Sequence, residues 1–371
     1  MRGGTSKGIV LHARDLTTDI DTRNRVLAAA MGGPDTLQID GIGGGHSLSS
    51  KVAIVSPATG RETDIDYLFL QVNPATGSVD TTQNCGNMLA ACAPFAIEEG
   101  LVKPADGETR VRVRMLNSGN LCELTVQTPG GCVEYAGTTR IDGVPGTGAA
   151  IVCDYLDVAG SACGVMLPTG NAADTIEGVN VTLIDNGMPV VVIRAADLGL
   201  SGEETPQELE SNASLVAIKE RIRLQAGKLM GLGDVDNKSV PKITLVSAAR
   251  NGGNIATRTF IPHFVHKSIG VLGAASVATA CLLPGSVTEN LVANPATQGD
   301  SAIDFSLEHP SGSLQLKIRA RLLQGELVVE RVGVVRTARM LLRGELFIPQ
   351  SIWQGNINPP PDKPAQVAHL A

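Results

Sequence analysis

The sequence predicts an α+β chain of two pseudo-symmetric domains, each a mostly antiparallel curved sheet wrapped around a central helix. Three observations carry this reading. The chain has 371 residues, more than the roughly 100–200 of an ordinary domain. Apolar runs rich in β-branched residues recur between Gly, Pro, Asn and Asp, the punctuation that bounds strands. Two small-residue segments, 86–99 and 270–283, are apolar on every helical face, and such helices are normally enclosed by protein. They recur at a spacing of about 185 residues, each with strands before and after it.

Residues 21–31 form an amphipathic helix that stops at Gly32-Gly33-Pro34. Strands follow at 51–55 and 65–72, then the first enclosed helix, which ends at Gly100. Residues 110–115 alternate strictly, so one face of that strand is wet, and 121–128 follows it. The second set opens with strands at 181–184 and 190–193. Residues 208–229 read as one long charged helix, and 243–247 as a strand before the second enclosed helix, which turns at Pro284-Gly285. Strands at 303–307, 314–318 and 327–335 close the chain. The expected division is 1–175 with 333–371, and 176–332.

Hydrophobic residues make up 43% and charged residues 18%, enough for a sizeable core. Lys plus Arg number 30 against 37 Asp plus Glu, a net charge of −7, with no long basic run. Aromatic residues are only 3%, so base-stacking platforms are scarce and a nucleic-acid partner is disfavoured. A small anion still fits, because a local pocket can be positive on an acidic protein. The uncharged stretch 268–288 has the length of a membrane helix. Its Gly, Ser, Thr and Pro284-Gly285 instead read as a buried helix plus a turn, with no membrane partner. Seven irregularly spaced cysteines without a CxxC, and a start without a signal peptide, suit reduced thiols in the cytoplasm and no structural zinc. The start at the Arg2 motif, with no strand before it, suggests that native residues precede Met1. A homodimer is compatible with all of this.

Several motifs carry possible chemistry. Gly41-Ile-Gly-Gly-Gly-His46 and Gly146-Thr-Gly148 do not fit a dinucleotide fingerprint, and no phosphate-loop pattern occurs. Arg2, Gly3, Gly4, Thr5, Ser6 and Lys7 combine cations, hydroxyls and bare backbone amides, the ingredients of an anion cradle; the plain alternative is a frayed basic terminus. Lys51 heads an apolar strand after Ser47 and Ser49, and reads either as a solvated strand-edge lysine or as a partly buried proton carrier. Cys85 stands just before the first enclosed helix, where the helix dipole favours thiolate; the alternative is a small buried hydrophobe. Cys92 and Cys281 lie inside the enclosed helices and look inert. His263 and His266 lack a third ligand nearby, so a core or carboxylate-binding histidine is favoured over a metal.

These residues resemble the PrpF family. The resemblance rests on MRGGTSKG at Met1, DGIGG and SLSSKVAIV from Asp40, and QNCGNM at Gln83. LPTGN at 167–171, HPSG at 309–312 and RTAR at 336–339 add to it, so that matches run from Met1 to about Trp353. The resemblance implies a diaminopimelate-epimerase-like fold. It also implies a cofactor-free, metal-free isomerase that shifts a double bond or tautomerises a small unsaturated polycarboxylate. Aconitate, 2-methylitaconate and 4-oxalomesaconate are family substrates, and SLSSKVAIV and DIDYLFLQV look closest to the oxalomesaconate and methylitaconate branches. Lys51 matches the family's active-site lysine, and Cys85 matches the cysteine of its NCGN.

The second acid/base thiol of the related epimerases falls near Gly270, where this chain has no cysteine, and a Thr-Gly common in relatives is replaced by Leu272-Gly273. Losing one thiol disfavours two-base epimerisation, which needs an acid on each face of the carbon. An allylic shift can remove and return a proton on one face, so one mobile base serves both ends. A carboxylate-binding protein without activity is the competing reading, opposed by the presence of both Lys51 and Cys85. The expected carboxylate ligands are the Arg2–Lys7 residues, Ser47, Ser49, the Gly86 and Asn87 amides, and His266, Ser268, Gly270, Gly273 and Ser311 of the second domain.

Overall fold

A computed structural model describes residues 1–60, 62–81, 84–156, 158–236, 238–292, 302–323 and 326–354. The first half comprises β1 (Arg2–Gly3), β2 (Ser6–His12), α1 (Ile20–Met31), β3 (Lys51–Pro57), β4 (Ile65–Val72), β5 (Val79–Asp80), α2 (Gly86–Glu98), β6 (Gly107–Met115), β7 (Leu121–Thr128) and β8 (Ile151–Leu156). The second comprises β9 (Asp174–Ile176), β10 (Val179–Asp185), β11 (Pro189–Arg194), α3 (Pro206–Ser211), α4 (Ala213–Leu229), β12 (Lys242–Ser247), β13 (Ile255–Ile261), β14 (Phe264–Val265), α5 (Val271–Leu282), β15 (Ile303–His309), β16 (Gly312–Leu323) and β17 (Glu326–Arg336). A last short strand, β18 (Ala338–Arg339), returns to pair with β1.

The halves repeat one another pairing by pairing. β2 runs parallel to β3, β3 antiparallel to β4, and β4 parallel to β6, which continues antiparallel through β7 to β8. In the second half β11 runs parallel to β12, β12 antiparallel to β13, and β13 parallel to β15, continuing antiparallel through β16 to β17. Short β5 and β14 hook onto β4 and β13 alike. An antiparallel pairing of β8 with β17 joins the halves, with Tyr155 opposite Val332 and Ile151 opposite Arg336. The α+β class and the repeated, mostly antiparallel plan are as the sequence predicts.

Strand alternation decides what each helix covers. On β3, Val52 and Ile54 point outward to Leu27 and Met31 of α1, whereas Ala53 and Val55 point inward to α2. On β12, Ile243 and Leu245 face Leu215 and Ile222 of α4, whereas Val246 faces the interior. α2 and α5 share that interior as one continuous apolar core. Met88, Leu89, Ala274 and Val277 are fully buried, which explains why both helices are apolar all round. α2 ends at Gly100 in the left-handed conformation, φ +70°. α5 ends in the Pro284-Gly285 turn, so 268–288 is a buried helix plus a turn. No helix among the described residues is long and apolar enough to cross a membrane.

Some elements differ from expectation. Residues 208–229 are not one helix: the break falls at Asn212, whose side chain accepts from the Leu215 amide at 3.0 Å and so caps α4. Strands β2, β8 and β13 were not foreseen. β2 absorbs Ser6 and Lys7 of the expected anion cradle, and β13 is interrupted in sequence by Thr257, Arg258 and Thr259.

Gly8 shows how tightly β2 meets β3. It stands opposite Lys51, and a Cβ there would overlap the Lys51 carbonyl oxygen and lie 3.0 Å from Met88 Cε. Gly8→Ala is therefore expected to cost about 1–3 kcal/mol by overpacking, read as a lower urea midpoint with an unchanged slope. An unshifted midpoint would mean that β2 can slide away from Lys51.

Candidate active site

The two interior helices start differently from the others. α1, α3 and α4 are capped by the side chains of Asp19, Thr205 and Asn212. α2 begins at Cys85 and α5 at Gly270, and neither receives a side-chain cap. Uncapped N-termini leave amide donors and the positive dipole end available to an anion. The two starts also meet. A Cβ on Gly86 would lie 3.5 Å from Val271 Cγ2 and 2.6 Å from the Tyr155 hydroxyl. Gly270 thus occupies, in the second half, the place Cys85 holds in the first.

Lys51 is the first residue of β3 and shares the inward face of Ala53 and Val55, so its side chain runs toward α2. It is 8% exposed, not solvated as a strand-edge lysine usually is. Nζ donates to Gln71 Oε1 at 2.7 Å and sits 4.9 Å from the Phe69 ring centroid. Gln71 is held in turn, donating to the carbonyls of Ser47 and Ser50 at 3.1 and 3.0 Å. Among the described residues no carboxylate pairs with the amine, so it can exchange a proton without breaking an ion pair.

Half-buried Cys85 is fixed through its backbone, whose carbonyl accepts from the Tyr67 hydroxyl at 3.0 Å. Burial holds the Tyr67 and Tyr155 hydroxyls well above the ordinary phenol value, so both remain donors. Burial likewise pushes the Cys92 thiol well up and that of Cys281 to about 12, which keeps both protonated. All seven cysteines are free.

The Arg2–Lys7 segment lies beside the α2 start, but not as a bare cradle. It is a β-hairpin. The Gly4 amide donates to Thr337 O and the Lys7 amide to Leu48 O, each at 2.9 Å. Arg2 closes the turn, donating to Gly4 O and Thr337 O at 2.9 Å. Gly3 and Gly4 serve close packing: a Cβ on either would overlap Asn87. Asn87 itself donates to Thr5 Oγ1 at 2.9 Å, with buried Ser6 at 3.4 Å. Arg2, Thr5, Ser6, Lys7 and Ser49 line one cavity of about 230 Å³, closed by Leu48 and by Gly143, Val144 and Pro145. Lys51 and Cys85 are not among its walls.

The second-half residues form a separate network. The Ser268 amide donates to His266 Nδ1 at 2.9 Å, and Ser268 Oγ lies 3.1 Å from His309 Nε2. Exposed Ser311 donates from Oγ to Lys267 O at 2.6 Å, which ties it to the loop before α5. Burial lowers both His266 and His309, the first further by Lys242. On His309, Asp142 pulls upward while His266 and Arg336 push down. Among the described residues no trio of metal-binding side chains assembles around these histidines.

Two residues were missed by sequence reasoning. Tyr155 places its hydroxyl at the α2 start. Arg336 reaches the same region from the end of β17, with Cδ 3.2 Å from where a Gly4 Cβ would be. Burial presses its guanidinium down, while Cys153, Tyr155 and Cys85 draw it up. Among the described residues its one hydrogen bond runs to Val335 O at 3.0 Å, and buried Nε has no partner. RTAR was noticed as a motif, but nothing in the sequence brings residue 336 to residue 85.

The family described as PrpF protein matches residues 1–349. The chain is 51% identical over 355 residues to a 4-oxalomesaconate tautomerase of Pseudomonas putida, covering 96% of each chain. It is 50% identical to a (4E)-oxalomesaconate Delta-isomerase of a Novosphingobium species, covering 94% of this chain and 96% of that one. Among solved structures, a methylitaconate-delta-isomerase matches with a TM-score of 0.84 at 30% identity over 97% of both chains. Motifs, topology and relatives agree over almost the whole length: the chain belongs to the PrpF family.

Proposed function

We propose that this chain is a cofactor-free isomerase of 4-oxalomesaconate, moving a proton between carbon and a conjugated oxygen or carbon of an unsaturated tricarboxylate. The observation that carries the reading is Lys51, a buried amine that among the described residues is hydrogen-bonded by an amide and by no carboxylate, in the half of the molecule whose interior helix starts at Cys85. A proton beside a conjugated C=C becomes acidic when the dienolate it leaves is stabilised. Uncapped helix amides, the Tyr155 hydroxyl and the Arg336 guanidinium supply fixed donors for that charge. Lys51 takes the proton and becomes a cation next to the new anion. Cys85 serves as the second acid/base group or as a donor to the enolate. Returning the proton at the other end of the conjugated system completes the isomerisation without net gain or loss of atoms. Identity near one half to two oxalomesaconate enzymes, against 32% to a 3-methylitaconate isomerase of Eubacterium barkeri, favours the tricarboxylate.

An ultraviolet assay with the oxalomesaconate keto/enol pair, cis- and trans-aconitate and 2-methylitaconate tests this. Oxalomesaconate is expected to turn over with kcat/KM at least about 100-fold above the others, on the scale that one well-placed charged contact discriminates. A preference for aconitate or methylitaconate would move the substrate, and inactivity on all four would leave a carboxylate-binding protein.

A further inference from the structure

The repeat puts a lysine at the same place in each half. Gly8 of β2 stands beside Lys51, the first residue of β3; Val190 of β11 stands beside Lys242, the first residue of β12. Alternation turns Lys242 inward with Thr244 and Val246, as it turns Lys51 inward with Ala53 and Val55. The surroundings then diverge. Gln71 stands across from Lys51 and holds its amine. Ile243 pairs with Phe260, so the residue across from Lys242 is Ile261, which has nothing to offer an amine. Among the described residues the half-buried Lys242 amine has no carboxylate and no hydrogen-bond acceptor. Burial and then the charge of Arg223 bring it down to about 8, so it is still mainly a cation at neutral pH. Its charge reaches His266, which orients Ser268 just before the uncapped start of α5.

We propose that Lys242 binds a substrate carboxylate near the uncapped start of α5, so that the molecule is anchored in the second half while Lys51 handles the proton in the first. The proposal rests on the reading of the ligand as a polycarboxylate. It specifies that class further, since a tricarboxylate has a charge to spare for this position and a monocarboxylate has none.

The test is calorimetric titration of the full chain with tricarballylate, a saturated tricarboxylate without an allylic proton, beside steady-state kinetics. Lys242→Met is expected to weaken tricarballylate, and to raise KM, about 10- to 100-fold, as loss of a charged hydrogen bond does, with Lys242→Arg restoring most of it. Ile261→Gln keeps the lysine but gives it the amide that Lys51 has, and should weaken binding about 3- to 10-fold by competition. Unchanged affinity in Lys242→Met overturns the proposal, as does a loss of kcat with KM and tricarballylate affinity intact, which would make Lys242 a proton carrier. Should Lys242→Met not fold, unchanged affinity in Ile261→Gln overturns it. A wild-type chain inactive on oxalomesaconate that still binds tricarballylate through Lys242 would sink the proposed reaction and keep this site. An active chain indifferent to Lys242 would do the reverse.

Discussion

Lys51→Met is expected to lower kcat by about 1,000- to 10,000-fold, the upper range for losing a general acid–base group, while the protein stays folded. Methionine keeps the length and apolar stem that pack against Phe69, and the lost contact is one hydrogen bond to Gln71. Cys85→Ser should behave differently. Its backbone remains fixed by the Tyr67 hydroxyl, and the serine hydroxyl still donates at the helix start, so a partial loss of about 10- to 100-fold is expected. Proton exchange into substrate in heavy water separates the roles. A long amine can serve two carbons on one face, whereas a residue at a helix start is fixed. Exchange should vanish in Lys51→Met and persist in Cys85→Ser. Full exchange in Lys51→Met would transfer the base to Cys85.

The second large effect is expected at Arg336. Removing this guanidinium as Arg336→Met should raise KM for oxalomesaconate about 10- to 100-fold, as loss of a charged hydrogen bond does. The thermal midpoint should hold or rise. Burial lowers its pKa, and among the described residues its buried Nε is unsatisfied and its single hydrogen bond goes to the neighbouring Val335 carbonyl. A charge kept so poorly satisfied serves a ligand better than it serves the fold. Arg336→Lys should recover little, because a point charge does not reproduce the planar fork. A drop in thermal midpoint with KM unchanged would mean that Arg336 is a structural residue.

Much of the architecture was legible because burial writes itself into composition. The interior helices had to be apolar all round, and their spacing exposes the repeat in the sequence itself. The wet face of β6 could be read from Arg110, Arg112 and Arg114. What was not legible came from contacts between distant segments. The β1–β2 hairpin reads as a glycine-rich basic motif because Gly3, Gly4 and Gly8 are there to let backbones approach Asn87 and Lys51, not to bare their amides. Arg336 and Tyr155 lie on neighbouring strands joined only by the β8–β17 pairing, and β8 itself was missed. The charged helix was read as continuous because its periodicity survives the break; Ser211-Asn212 was the signal, a residue pair that prefers caps to helix interiors. Lys242 drew no notice, as one strand-edge lysine looks like another until the second half is laid over the first.

The strand that joins the halves has a consequence for cooperativity. β17 completes the second half through β16, yet hands its last residues, Val332 to Arg336, to β8 of the first. The chain then crosses back, β18 seals β1, and Leu346 and Ile348 pack on the α1 side of the first half. Neither half can lose its sheet without stripping an edge from the other, and the apolar interior runs through both. A duplicated outline ordinarily suggests two melting units, but this connectivity ties them into one, so local opening is confined to the outer helices and loops. The interior helix starts are thereby held from both sides by one sheet and one core.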